Sequence, residues 1–348
     1  MNRTGHSLLL ANESVIEAAR GGDHAAFELL VQPYQHELVV HCYRILGSFE
    51  DAEDMLQETL IRAWRHLDSF EGRASLRAWL YKIATNACLD GLEARRRRGL
   101  STELYGRGDP HAPLPHPLKD ARWVEPLPEA LVDRQPDIYP EARYEVRESI
   151  TLAFVAALQY LPGRQRAVLL LRDVLGWTAA ETADILDMTL AGANSALQRA
   201  RASLKGRWDR RAERRSAALD DQQLASLLTR YVAAWESADA AALIAVLRED
   251  IALTMPPFPV WFEGKADVGS FLEGFLFKSA DPFRLRLVAT RANGAPAFAV
   301  YQQDPAGVFR AAALHVLSLA DGLVAGIDDF LCFDDRLFSR FGLPSILD

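Results

Sequence analysis

The sequence predicts a multidomain chain: two all-α helical modules, the second with a helix-turn-helix, followed by an α+β domain. Three observations carry this. At 348 residues the chain exceeds the length of one typical domain. Apolar residues recur every three or four positions through about 12–98, and again through about 145–215. Beyond about 220, two helical patterns give way to short strand-like runs joined by Asn-Gly and Asp-Gly.

Composition sets the outer bounds. A hydrophobic share of 49% with 25% charged residues is ordinary for globular cores. No stretch reaches 18 uncharged apolar residues and the start shows no secretory pattern, so the expected location is the cytoplasm and no membrane partner is expected. Cys42, Cys88 and Cys332 are too scattered for a disulfide framework or zinc site and read as free thiols; no cofactor is expected. The net charge of -8 is unevenly spread. Residues 1–218 hold 29 Lys/Arg against 30 Asp/Glu, and residues 219–348 hold 10 against 17. Acidity therefore belongs to the C-terminal third and does not argue against phosphate contacts upstream.

In the first module, Met55, Leu56, Leu60, Ala63, Trp64 and Leu67 form one helical stripe. Ser75 is placed to cap the next helix, which runs into Arg95–Arg98. Residues 99–144 carry 8 of the 17 prolines, with 5 basic against 8 acidic residues, and favour an extended linker. In the second module Gly176 is placed to stop a helix, and Thr178 with Glu181 forms a capping box. A break at Asp187-Met188 follows, and Thr189 can cap the next helix; this is helix-turn-helix spacing. In the C-terminal segment, helices at 221–236 and 239–247 precede the strands, and 266–277 is helical. Turns at Asn293-Gly294 and Asp321-Gly322 predict antiparallel hairpins.

Three surfaces carry candidate chemistry. On the helix after Thr189, the residues Leu190, Ala193, Leu197, Ala200 and Leu204 share one face. Asn194, Gln198, Arg201 and Lys205 share another, with Ser195 and Arg199 beside them. Amides and guanidinium groups can bond base edges in a major groove, and cations can hold phosphates. A solvated amphipathic helix has the same pattern, so spacing alone leaves both readings open. Trp79 and Tyr81 lie among Arg73, Arg77 and Lys82, a mixture that suits stacking on single strands, although Trp79 with Ile83 also has core spacing. The helix from residue 51 presents Asp51, Glu53, Asp54, Gln57 and Glu58, an acidic face suited to a basic protein partner. In the C-terminal domain His315, Asp304 and Asp328 are the acid-base candidates, and their spacing makes no convincing dyad.

Here the residues carry a resemblance. DAEDMLQETLIRAWRHLDSFEGRASLRAWLYKIATNACLD resembles the second domain of extracytoplasmic-function (ECF) sigma factors of the sigma-70 family. LPGRQRAVLLLRDVLGWTAAETADILDMTLAGANSALQRARASL resembles their fourth. The resemblance implies sigma domain 2 at 12–98, a Pro-rich acidic linker at 99–144 and sigma domain 4 at 145–215. It implies that Asp51, Glu53, Asp54, Gln57 and Glu58 dock on core RNA polymerase. It implies that Arg73, Arg77, Trp79, Lys82 and Asn86 read the minus-10 promoter element. It also implies that Thr189, Asn194, Ser195, Gln198, Arg199, Arg201 and Lys205 read the minus-35 element. The linker is similar to a family segment that threads the polymerase RNA path, and WVEPLPEALVD (123–133) partly matches a Trp- and Pro-bearing linker motif of groups with an extra C-terminal domain. One departure is Gly192, placed inside the recognition helix where glycine costs roughly 0.5–1 kcal/mol against alanine.

Residues 219–340, with TMPPFPVWFEGKADVGSFL, resemble a SnoaL-like domain, the cone-shaped α+β fold of small cyclases and ketosteroid isomerases. Together the resemblances imply a sigma factor, not an enzyme, tuned by its fused domain. The implied partners are core RNA polymerase and promoter DNA, with room for an anti-sigma factor and for a small-molecule ligand in the C-terminal domain. Two alternatives stay open: a one-component ligand-sensing DNA-binding regulator, and a SnoaL-like cyclase or isomerase fused to a DNA-binding module.

Overall fold

In a computed structural model, residues 14–72, 74–93, 98–120, 123–131, 149–212, 220–277, 284–332 and 336–347 are described. The chain divides into two units. One comprises Met1–Arg97, Leu131–Ser149 and Ala157–Leu204; the other comprises Arg98–Ala130, Ile150–Ala156 and Lys205–Asp348.

The first unit is helical. Its elements are α1 (14–20), α2 (His24–Leu46), α3 (Phe49–Arg65), α4 (Leu76–Glu93), α5 (Leu152–Leu158, shared with the second unit), α6 (Gly163–Leu169), α7 (Ala179–Ile185) and α8 (Leu190–Ala212, running on into the second unit). Local chemistry sets the ends. The Asp23 carboxylate accepts from Ala25 N and Ala26 N at the start of α2, and Gly47, left-handed at φ 71°, closes its last turn onto Tyr43 O. Ser48 caps α3, and the expected Ser75 cap is formed, its hydroxyl accepting from Ala78 N at 3.2 Å. On α3 the deepest line is Phe49, Ala52, Thr59 and Ala63. Of the stripe read from the sequence, Ala63 and Leu67 are buried, while Met55, Leu56, Leu60 and Trp64 are half-buried; Trp64 stacks on the His24 ring at 4.4 Å. Arg95–Arg97 lie outside the described residues.

Two buried arginines join α2 to the second helical module. Arg166 on α6 donates to the carbonyl of Ile45 and to Gln159 Oε1 (2.6 Å), Gln159 O (3.1 Å) and Leu161 O (3.1 Å). Arg44, 1% exposed, donates to Ser149 Oγ at 2.7 Å. Burial pulls both guanidinium groups down to about 10. A cation removed from water is tolerable only where its donors meet acceptors, and backbone carbonyls near the C-terminal end of α2 supply the favourable sign of potential.

The second unit holds a seven-stranded sheet: β1 (Leu247–Thr254), β2 (Trp261–Glu263), β3 (Leu285–Ala292), β4 (Ala295–Gln303), β5 (Phe309–Ala320), β6 (Leu323–Leu331) and β7 (Ile346–Leu347). Strand order is β2-β1-β6-β5-β4-β3, with β7 on β5. The expected hairpins form: Asn293-Gly294 and Asp321-Gly322 all have positive φ, which suits two-residue turns between strands. A parallel pairing lies outside these hairpins. β1, antiparallel to its sequence neighbour β2 on one side, pairs with β6 in parallel on the other, because the first strand borders the last long one. Helices α9 (Asp221–Glu236), α10 (Ala240–Val246) and α11 (Lys265–Phe271) and the short α12 (Arg336–Arg340) complete the domain. Tyr231, Trp235, Phe262, Phe271, Phe298 and Leu317 belong to one buried core.

The stretch before this domain docks on it. Gly108 N donates to Trp261 O (2.8 Å) and Trp261 Nε1 to Tyr105 O (3.0 Å). A Cβ on Gly108 would fall 2.3 Å from Val260 and 2.8 Å from Phe262, so only glycine permits this approach. Asn293, 1% exposed, accepts Leu127 N at 2.7 Å and donates to Ile150 O at 2.6 Å. Residues 98–120 and 123–130 thus carry short helical turns at Ser101–Leu104 and Glu129–Leu131 and are tied to the C-terminal sheet.

Replacing Arg166 by Met tests the buried node. It strands the carbonyls of Ile45, Gln159 and Leu161, and an unpaired buried group costs about 1–3 kcal/mol. Urea denaturation of Arg166→Met is expected to show a loss of about 2–4 kcal/mol; a loss under about 0.5 kcal/mol, the scale of an ordinary surface change, would contradict the role assigned to Arg166.

Candidate nucleic-acid interface

The helix-turn-helix is built as its spacing predicts. The Thr178 hydroxyl accepts from Glu181 N (3.2 Å) and Thr178 N donates to Glu181 Oε2 (2.8 Å), fixing the start of α7. That pairing holds the Glu181 carboxyl below its ordinary range. Asp187, left-handed at φ 49°, makes the turn, and the Thr189 hydroxyl accepts from Gly192 N at 3.1 Å to open α8. Gly192 therefore lies in the first turn of α8, not its interior. A Cβ there would stand 3.0 Å from Thr189 Oγ1, so the glycine leaves space for the cap.

On α8, Ala193, Ala196, Leu197, Ala200 and Leu204 are buried, whereas Leu190 is 51% exposed and does not belong to the packed face. Thr189, Asn194, Ser195, Gln198, Arg199 and Lys205 are all exposed. Arg201 differs: its guanidinium forks onto Asp173, with contacts of 2.8 and 2.6 Å. Of the basic run after 199, the side chains beyond Lys205 lie outside the described residues.

The α4 candidates sit differently. Arg73 lies outside the described residues. Trp79 is half-buried against Phe70, with ring centroids 5.3 Å apart, and Asn86 is half-buried. Arg77 is held by Glu37 in a two-pronged contact (2.9 and 2.7 Å) and lies 5.0 Å over the Trp177 ring. Lys82 Nζ donates to Asp187 Oδ1 (2.5 Å) and Asp184 O (3.1 Å). Both cations thus face the helix-turn-helix module. Tyr81 is fully buried and presents no ring for stacking.

On α3, Glu53, Asp54 and Gln57 are exposed, while Asp51 and Glu58 are half-buried. Asp54, Gln57 and Glu58 line a groove of about 480 Å³ with Met55, Ile61 and Arg62. Ile61 is 46% exposed there, and Arg62 bridges Glu58 (2.7 Å) and Asp90 (3.0 Å). An apolar side chain ringed by carboxylates suits a partner that brings both greasy and basic residues.

In the C-terminal unit the three acid-base candidates are not brought together. Asp304 ties a hairpin, accepting from Ala306 N, Val308 N and Arg310 Nε. Asp328 accepts from Thr254 Oγ1 at 2.8 Å, on the sheet face opposite to His315. His315 meets residues the sequence did not single out: Tyr231 OH lies 2.8 Å from Nδ1 and Asp329 Oδ1 lies 3.5 Å from Nε2. Burial lowers His315 to about 3, raises Asp329 to about 7 and keeps Tyr231 protonated. The cross-strand register His315↔Asp329 makes the pair, and only knowledge of that register could have found it. Among the described residues no metal-binding cluster occurs, and no helix is long and apolar enough to cross a membrane.

Known families match all three parts. Sigma-70 region 2 matches residues 30–98, Sigma-70 region 4 matches 151–204, and the SnoaL-like domain matches 228–327. The chain is 43% identical over 343 residues to the ECF RNA polymerase sigma factor SigG of Mycobacterium tuberculosis, covering 97% of this chain and 89% of that one. It is 28% identical over 193 residues to the RNA polymerase sigma-H factor of Pseudomonas aeruginosa, covering 56% of this chain and 91% of the relative. Its fold is similar to that of the Mycobacterium tuberculosis extracytoplasmic function sigma factor SigJ in the crystal, with a TM-score of 0.53 at 20% identity, across 92% of this chain and all of the other.

The buried pair sets opposed pH responses. His315, lowered from 6.5, contributes stability above 6.5 that is lost as pH falls toward 3. Asp329, raised from 3.8, contributes stability below 3.8 that is lost as pH rises toward 7. In the native chain the two slopes oppose. Asp329→Asn is expected to lower the urea midpoint of the C-terminal domain on acidification below 6.5, and His315→Gln to lower it on alkalinisation above 3.8. Flat profiles in both variants would refute the burial-driven shifts of the two groups.

Proposed function

The chain belongs to the ECF RNA polymerase sigma factors, and from that premise we propose that it binds core RNA polymerase and directs promoter-specific initiation under the influence of its SnoaL-like domain. What carries the reading is the identity to a sigma factor along nearly the whole chain, with both helical modules in order. In this reading residues 12–98 bind polymerase and the minus-10 element, 99–144 connect, 145–215 bind the minus-35 element and 219–340 regulate. The acidic face with Asp51, Glu53, Asp54, Gln57 and Glu58 takes the polymerase. The exposed Asn194, Ser195, Gln198 and Arg199 take base edges of the duplex, while Thr189, Arg201 and Lys205 take phosphates.

Arg73, Arg77, Trp79, Lys82 and Asn86 take the minus-10 strand. For Arg77 and Lys82 this is an exchange: each leaves a carboxylate of its own chain for a phosphate. Exposed pairs such as Lys82–Asp187 contribute only about 0–1 kcal/mol, so the exchange is cheap for Lys82; Arg77, in a part-buried two-pronged pair over the Trp177 ring, gives up more. The polymerase supplies the chemistry, and the chain itself acts in the cytoplasm without catalysis or cofactor. SnoaL-like domains include isomerases and cyclases, but here the acid-base pair is packed among rings.

Run-off transcription with purified core polymerase on genomic fragments tests this. The native chain is expected to yield discrete transcripts. Asn194→Ala with Gln198→Ala is expected to lower output by about 5- to 100-fold, the range for lost base contacts worth about 1–3 kcal/mol. A chain ending at residue 218 is expected to give altered promoter output. No transcript from the native chain on any fragment would overturn the reading.

A further inference from the structure

Leu190 is a side chain of the helix-turn-helix that its own fold leaves unused. It is 51% exposed, and among the described residues of 149–205 it is the one large apolar side chain open to solvent. Its spacing groups it with the packed face, yet it stands at the head of another row. Steps of four and three residues run from Leu190 to Asn194, Gln198, Arg201 and Lys205. The row opens on an apolar group, continues with two amides and ends on cations. Ala191, exposed beside Leu190, adds a methyl group.

Position gives this side chain its reach. Helical Cα–Cβ bonds tilt toward the N-terminus, so a residue in the first turn extends past the end of its own helix. In helix-turn-helix proteins that end contacts base edges in the major groove. The first turn of α8 carries no acidic residue, although acids are favoured at helix N-termini, and the Thr189 hydroxyl already accepts from Gly192 N. The leading end of α8 therefore brings a groove lined by phosphates no charge to repel, and one apolar tip.

We propose that Leu190 is a specificity-determining residue that reads the C5-methyl group of thymine in the minus-35 duplex. The major-groove edge of an A·T pair presents that methyl group on one base and the N7 acceptor and N6 donor on the other. Leu190 covers the first, and the Asn194 amide, one turn on, matches the second. Together they select an A·T pair over a G·C pair, because cytosine carries a hydrogen where thymine carries its methyl group. This contact rests on the sigma-factor reading, in which α8 enters the minus-35 duplex, and adds the base that is selected there.

The test is run-off transcription with core polymerase and the full chain on the genomic fragment that gives the strongest transcript. Thymines of its minus-35 element are replaced on both strands by deoxyuridine, which removes only the methyl groups. Output from the native chain is expected to fall about 3- to 15-fold, the scale of one or two methyl groups left uncovered. Leu190→Ala is expected to fall by a similar factor on the thymine template and to lose little more on the uracil template. The template swap needs no variant, so it reads the contact whatever the stability of Leu190→Ala. Equal output from the native chain on both templates would overturn the contact, and a loss in Leu190→Ala alone would assign the side chain to a protein partner. A uracil loss that Leu190→Ala shows in full would assign the effect to DNA shape and overturn it too, as would a minus-35 element without A·T pairs. No transcript from the native chain on any thymine template overturns the sigma-factor reading and the contact with it, whereas the other outcomes strike the contact alone.

Discussion

Arg166 is the constraint on which the helical unit depends. Its guanidinium is out of water and, among the described residues, Nη1 and Nη2 meet no carboxylate, only the carbonyls of Ile45, Gln159 and Leu161 and the Gln159 amide, while Nε is left without a partner. Those acceptors come from two modules far apart in sequence, so the charge is satisfied only when the modules are together. Gln159 in turn donates to Arg44 O, and Gly47 leaves room for it: a Cβ there would stand 3.2 Å from the Gln159 side chain. From this fixed contact follow the outer ones, Trp177 beneath Arg77 and Asp187 against Lys82.

What the sequence made legible was local. The caps at Ser75, Thr178 and Thr189 and the turns at Asn293 and Asp321 are decided within four residues of chain, and each formed. The exposed face of α8 followed from periodicity alone, except that Leu190, in the first turn, looks apolar but has nothing above it to pack on. The hidden features were those that need a partner from elsewhere. Nothing near Arg44 or Arg166 in sequence announces the Ser149 hydroxyl or the carbonyls that receive them. Asp329 was passed over for Asp328, since strand alternation sends neighbours to opposite faces and only the register with His315 chooses between them. The parallel β1–β6 pairing is likewise a property of topology, invisible to hairpin signals.

The charge pattern also changes meaning once the fold is known. The net of -8 counts every acid as though it were open to solvent. In the helical unit several are instead engaged with cations of the same unit: Glu37 on Arg77, Asp187 on Lys82, Asp173 on Arg201. Asn194, Ser195, Gln198 and Arg199 stay open to solvent on α8. Net charge measures neither, and local pairing decides which cations meet a phosphate first.

Asn293 has one more consequence. Its amide holds both Leu127 N and Ile150 O, so the chain leaves this side chain and returns to it. Two stretches far apart in the chain therefore hang on one amide and come loose together. Asn293→Ala would take away the acceptor of Leu127 N and the donor to Ile150 O at once, leaving two backbone groups unpaired among buried residues at a cost of about 1–3 kcal/mol each.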